Sequence, residues 1–244
     1  MKNQYDGDIN DYRKYGLIRM LTVNPKMPTT VCWMLTPDDN NADGGKIGYL
    51  ENPNEWKGYD EELFIELYNI VIVRKIRHVN EIENSGILHN CDFFSKEMKS
   101  NRKVERETYF AEFDRDLRNV KDKRKNCETK MIFFDPDNGI ESQKAKPHRK
   151  KYIYLSEIEK YFKEKKKTIL IYQHFPMKKR EIFIEDEAER IHTITKAPKV
   201  YSFKTPHVVF FLVPYDGHDT EFEFERKIKE IETRWGTQII PRVH

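Results

Sequence analysis

The sequence predicts an α/β protein: a three-layer sandwich in which a mostly parallel sheet, flanked by helices, ends in an antiparallel hairpin. Three observations carry this prediction. Met131 to Gly139 (MIFFDPDNG) runs four apolar residues straight into an acidic turn, as a strand buried on both faces does where it leaves a parallel sheet. Strand and helix patterns then alternate from Met131 to Ile194, the order that builds such a sheet. Finally, Lys199 to Phe203 and Val208 to Val213 are separated only by Lys204 to His207. That connection is too short for a crossover, so the two strands must pair antiparallel.

From the N-terminus, Asp8 can cap a helix over Asp8 to Leu21, with Asp11 in its first turn and Leu17, Ile18 and Leu21 as its apolar stripe. This defines an N-terminal helical motif over residues 5–22. Thr29 to Leu35 (TTVCWML) reads as a strand, and Thr36 to Gly45 (TPDDNNADGG) as a polar loop within an insertion over 36–58. Leu63, Phe64, Leu67, Ile70 and Val71 fall at helical spacing and predict a helix over Asp60 to Val73. His78 to Ile82 is expected as a short strand and Gly86 to Phe94 as an edge segment. Val104 to Val120 predicts a charged amphipathic helix with Phe110, Phe113 and Leu117 on one face. The strand Met131 to Phe134, the helix Leu155 to Lys165, the strand Thr168 to Tyr172 and the helix Lys178 to Ile194 complete the order before the hairpin. With no Ser/Gly-rich or Pro-rich linker to divide it, the chain of 244 residues is expected to form a single domain over 1–244.

Charged residues make up 35% of the chain and mean hydropathy is −0.84, yet 13% of residues are aromatic, enough apolar surface to fold beneath a charged exterior. No run approaches the ~18 apolar residues of a membrane span, and MKNQYDGDIN is not a secretory leader. A cytoplasmic protein with no membrane partner is expected. Cys32, Cys91 and Cys127 are widely spaced and form no CxxC pair, which excludes a disulfide framework and a structural zinc site. The net charge of +3 does not by itself imply nucleic acid. Cations cluster, however, at Lys144 to Lys151 (KAKPHRKK), at Lys163 to Lys167 (KEKKK) and over Arg118 to Lys125, and clusters of this kind can bind phosphate backbones.

Each strong strand ends in polar residues. Met131 to Phe134 leads into Asp135, Pro136, Asp137 and Asn138; Thr168 to Tyr172 into Gln173 and His174; Thr29 to Leu35 into Asp38 and Asp39. A parallel sheet gathers such ends on one rim, where ligands bind. Asp8, Asp11, Asp135, Asp137 and Glu141 also form an acid-rich set able to hold Mg²⁺ through oxygen ligands, with His174 or Lys14 assisting hydrolysis.

The turn in FFDPDNG resembles the catalytic turn of class I S-adenosylmethionine methyltransferases that act on exocyclic amines of bases. There an acid or amide is followed by two prolines and an aromatic residue. Asp135 and Pro136 fill the first two positions, whereas Asp137 replaces the second proline and Asn138 the aromatic. GDINDYRKY, with Gly7, Asp8, Asp11, Lys14 and Tyr15, is similar to the N-terminal active-site motif of the bacterial large-subunit ribosomal RNA adenine methyltransferases. TILIYQHFPMKKREIFI and HVVFFLVP are similar to that family's later strand and basic helix and to its last strand. The resemblance covers the N-terminal motif and most of Met131 to Pro214. It implies a Rossmann-like methyltransferase fold, S-adenosylmethionine as cofactor, and an unpaired or flipped-out base as substrate. Asp135 and Asn138 would orient the amine. Gly7, Asp8, Asp11, Lys14, Trp33, Asp38 and Asp39 would serve the cofactor, and the basic clusters the phosphates. The chain departs from the family after its first strand, where the glycine-rich turn is replaced by a loop whose only glycines, Gly44 and Gly45, come late. Two other readings stay open: a Mg²⁺-dependent phosphodiesterase or nuclease, and a degenerate methyltransferase fold kept as a binding subunit. Two expectations follow from the resemblance and the parallel-sheet rule. Lys14 should share one cleft with Asp135, Asp137 and His174. Asp135→Ala should abolish activity with the fold intact, whereas Asp39→Ala should chiefly weaken cofactor binding.

Overall fold

The computed structural model describes residues 1–23, 26–39, 45–123, 128–142, 149–216 and 221–244, by backbone alone at 120–123 and 221–223. The first helix, α1 (Ile9–Thr22), begins where the Asp8 carboxylate accepts the backbone N–H groups of Asn10 and Asp11, the capping expected of this residue type. Strand β1 (Thr29–Cys32) is shorter than predicted, and beyond it only Leu35 makes a single bridge, to Glu97. The segment expected as a loop insertion contains a 3₁₀ turn at Gly48–Glu51 and a short helix, α2 (Pro53–Trp56). Helix α3 (Glu61–Tyr68), capped by Asp60, runs on into a π turn at Asn69–Val73.

The expected strand at His78 to Ile82 is instead the start of a helix, α4 (Val79–Ser85). The His78 ring accepts the Asn80 N–H at its start, and Gly86, at φ +71°, ends it. Val79 and Ile82, both β-branched, are the two residues that this helix buries. Strand β2 (Cys91–Phe94) is the expected edge segment. Helix α5 (Lys103–Lys123) is followed by β3 (Met131–Phe134), and β4 (Gly139–Ile140) pairs with β5 (Tyr152–Ile153) in a separate two-stranded sheet. Helix α6 (Leu155–Glu159) continues as a π turn before β6 (Thr168–His174). Helix α7 (Arg180–Thr195), β7 (Tyr201–Lys204), β8 (Val208–Val213), α8 (Glu221–Trp235) and β9 (Ile240–Val243) follow.

The large sheet has the order β2-β1-β3-β6-β8-β7-β9. Pairing is parallel from β2 to β6, and β8 lies antiparallel between β6 and β7. The predicted hairpin is present but does not end the sheet, because β9 adds outside β7. Its sequence, IPRV, is half-exposed and carries a proline, which only an edge strand accommodates. Side chains alternate between the two faces. Val31, Phe133, Leu170 and Phe210 pack with α1, α3, α4 and α8, while Cys32, Phe134, Ile171 and Phe211 pack with α5, α6 and α7. All four residues of β3 are fully buried, which is why that strand is an unbroken apolar run.

The registers Cys32↔Phe134, Phe134↔Ile171 and His174↔Val208 bring the ends of β1, β3 and β6 and the start of β8 to one rim. Among the described residues no helix is long and apolar enough to cross a membrane. Cys32 and Cys91 are free thiols; Cys127 lies outside the described residues.

Candidate active site

The rim closes around a cleft of about 510 Å³. It is lined by Asp135 to Asn138 after β3, by Tyr172, His174 and Phe175 at the end of β6, and by Asp8, Asn10, Asp11 and Lys14 from α1. At its floor the Lys14 ammonium lies 2.6 Å from Asp11 Oδ1 and 2.7 Å from Asp135 Oδ2. All three residues are at most 3% exposed. The rings of Tyr15, Trp33 and Tyr172 surround the same ammonium at 5.4–5.6 Å, a favourable setting for a desolvated cation. Burial pushes the Asp11 carboxyl up to about 8; Lys14 pulls it down, and Asp8, Asp6 and Asp135 push it further up. For Lys14, burial is outweighed by Asp11 and Asp135, so the ammonium is held above its ordinary value and stays charged.

Gly7 sets up this floor from outside the cleft. Its N–H donates to Asp11 Oδ2 at 3.0 Å. It has φ +79°, and a Cβ at this position would come within 2.4 Å of Val71 Cγ2, so glycine is required both by conformation and by packing.

On the next turn, Asp137 lies 2.5 Å from the Met1 amino group and accepts the Thr36 hydroxyl at 2.5 Å. Burial raises this carboxyl, but the Met1 amino group, the Thr36 hydroxyl and Lys151 outweigh it and hold the carboxyl below its ordinary value. His174 is exposed in the cleft, with its Nε2 3.0 Å from the Tyr172 hydroxyl. Desolvation lowers the imidazole below its ordinary value against the pull of Asp135, Asp8 and Asp137, so it is neutral at pH 7. The Tyr172 hydroxyl is pushed well above its ordinary value by burial and by Asp135, and so keeps its proton.

Asn10 donates through Nδ2 to Asp8 Oδ2 at 3.4 Å, while its buried Oδ1 accepts nothing. Because a carboxylate can only accept, this contact fixes the amide orientation and leaves an acceptor idle, at a cost of roughly 1–3 kcal/mol.

Other residues singled out from the sequence lie elsewhere. Trp33 is core: its ring stacks on Phe93 and its Nε1 donates to Glu83 Oε1 at 2.7 Å. It supports Lys14 from behind and does not line the cleft. Asp38 is exposed and accepts the Gln4 N–H; Asp39 reaches the cleft edge and pairs with Lys2. Of the acid-rich set, Glu141 is remote, its Oε1 accepting the Leu155 N–H near α6. Asp11 and Asp135 are spanned by Lys14, and among the described residues no three His, Cys, Asp or Glu side chains converge as metal ligands. Lys163 to Lys167 precede β6 and therefore lie at the end of the sheet opposite the cleft. Of Lys144 to Lys151, residues 144–148 lie outside the described residues and Lys151 lines the cleft; within Arg118 to Lys125, 124 and 125 also lie outside.

Sequence reasoning missed Asn10, Tyr172, Tyr5 and Lys46 as cleft residues. Asn10 had a signal, since it stands four residues before Lys14 on one helix face. Tyr172 was taken simply as the last strand residue. Asp135, at the end of β3, is 1% exposed and ion-paired with Lys14, so it contributes to packing as well as to the cleft.

No family model matches the sequence, and no curated protein matches it.

Proposed function

We propose that this cleft binds S-adenosylmethionine and directs methyl transfer to an exocyclic amine of a nucleic-acid base. One observation carries the reading. Lys14 and Asp135, 121 residues apart, are in contact at 2.7 Å, which joins the N-terminal motif and the DPDN turn, the two segments on which the methyltransferase resemblance rests.

The residues fit the cofactor's chemistry. Its ammonium and sulfonium call for acceptors, which Asp8, Asp39 and the idle Asn10 carbonyl supply. The volume of about 510 Å³ suits a ligand of this size. Trp33 to Thr36 are all buried after β1, so in this reading the cofactor lies against α1 and the β3 turn instead of a glycine-rich loop.

Bound there, the cofactor would supply an electrophilic methyl group for the amine nitrogen. Asp135 and Asn138 would hold the amine's N–H groups, and the neutral His174 imidazole would take the proton released. Lys14 fixes the Asp135 carboxylate through its contact at 2.7 Å, so that reorganisation at the reacting nitrogen would be small.

The reading is tested by calorimetry with S-adenosylmethionine and, separately, Mg²⁺, together with methyl-transfer assays on RNA and DNA. Cofactor binding with transfer to one of them is expected. Mg²⁺ binding and strand cleavage without cofactor binding would replace this reading with diester hydrolysis, and binding of neither with a non-catalytic role.

A further inference from the structure

The cleft mouth lies between two groups of exposed cations. On the β3 side, Arg149, Lys150 and Lys151 lead into β5, and the Lys151 carbonyl accepts the Asn138 N–H at 2.8 Å; this ties the run to the DPDN turn. On the β8 side, Lys46 lines the cleft beside the start of α1, where its carbonyl accepts the Ile9 N–H. Arg180 opens α7 and stacks on Phe175 at 5.0 Å. His207 directly precedes Val208, the register partner of His174. Since β6 separates β3 from β8 in the sheet, the two groups stand on opposite sides of the opening.

Lys46, Lys151 and Arg180 are exposed, and none of them has a carboxylate within ion-pair distance among the described residues. Burial together with Lys46, Arg13 and Arg180 also lowers His207 below its ordinary value, in keeping with a concentrated positive lip. In the groove running from the cleft along α7, by contrast, acids and cations pair with one another: Glu187 with Arg190, Asp186 with Lys178 and Glu185 with Arg242. Phe175 and Tyr5, both half-exposed in the cleft wall, offer ring faces of the kind on which unpaired bases stack.

We propose that Lys151 with its neighbours and Lys46 with Arg180 form two lips that grip successive phosphates of one nucleic-acid strand lying across the mouth, so that the base between them enters the cleft. This rests on the reading of the cleft as a base-modifying site, and it assigns no part to Lys163 to Lys167.

The test is fluorescence-anisotropy binding of a labelled single-stranded oligonucleotide to the full chain as salt is raised from about 50 to 200 mM, in the absence of cofactor. Lys46→Gln, Lys151→Gln and Arg180→Gln should each weaken binding, and each should reduce the slope of log affinity against log salt by about 0.7, the contribution of one phosphate on a single strand. Lys163→Gln with Lys165→Gln should change neither, and adenosine monophosphate should not compete at strand concentrations. Equal losses from the Lys163/Lys165 pair, no change from the lip variants, or full competition by the mononucleotide would overturn the proposal. Lip-dependent strand binding without any methyl transfer would overturn only the reading of the reaction. Cofactor binding with lip-independent strand affinity would overturn only this one.

Discussion

Lys14→Met isolates the feature that organises the cleft. The substitution preserves much of the side-chain volume and removes the ammonium from between two carboxylates, Asp11 at 2.6 Å and Asp135 at 2.7 Å. Breaking a buried pair by deleting one partner costs roughly 3–5 kcal/mol. Both carboxylates are buried and would be left without their shared cation.

The pH dependence has a definite sign. The Asp11 carboxyl, raised to about 8, contributes stability that is full below about pH 4 and is lost as pH rises through that value. Lys14 is the group that pulls this carboxyl down, so Lys14→Met should raise it further and extend the loss beyond pH 8, and the gap to the wild type should widen there. Urea denaturation from about pH 4 to pH 9 measures this directly. A variant as stable as the wild type at pH 7, or a gap that narrows as pH rises, would refute the picture of Lys14 as the buried counter-ion of Asp135.

Asp11→Asn should make the wild-type stability profile shallower between about pH 4 and pH 8, because the raised Asp11 carboxyl loses its proton there; an unchanged slope in urea melts would assign that titration elsewhere. Gly7→Ala should lower stability by roughly 2–4 kcal/mol, combining a left-handed backbone with overpacking against Val71. Adding Val71→Ala should recover only the packing part, and full recovery in thermal melts would show that φ carries no cost. Asp39→Ala should cost under about 1 kcal/mol, since Asp39 is part-exposed in its pair with Lys2, yet it should raise KM for S-adenosylmethionine; a change in kcat alone would remove Asp39 from the cofactor side.

The parts of the fold legible in the sequence were those with a local cause. Strand β3 is buried on both faces, so its pattern had to be an apolar run, and Asp135 to Gly139 had to turn. The β7–β8 hairpin followed from a short connection. Where β8 inserts was not legible, because strand order is settled by packing between segments far apart in the chain. Helix α4 was misread because two β-branched residues in a short window suit either period. Helix α8 had a readable stripe in Phe224, Ile228, Ile231 and Trp235, but β9 beyond it is half-exposed and too short to carry a pattern.

The candidate site divides in the same way. Its acids could be found at strand ends, but the burial of Lys14 could not, because its second counter-ion is 121 residues away. On α1 the disagreement between pattern and burial is greatest: Asp11, Arg13 and Lys14 read as a solvated face and are each at most 4% exposed. Local pattern and tertiary structure usually agree, and proteins depart from that agreement mainly at functional sites. A charged helix face held in the interior, with one carbonyl left idle beside it and a cleft open above it, is costly to maintain for packing alone. That cost, borne on the helix that carries the N-terminal motif, is the physical argument for α1 and the β3 turn as the candidate site, whichever chemistry the cleft performs.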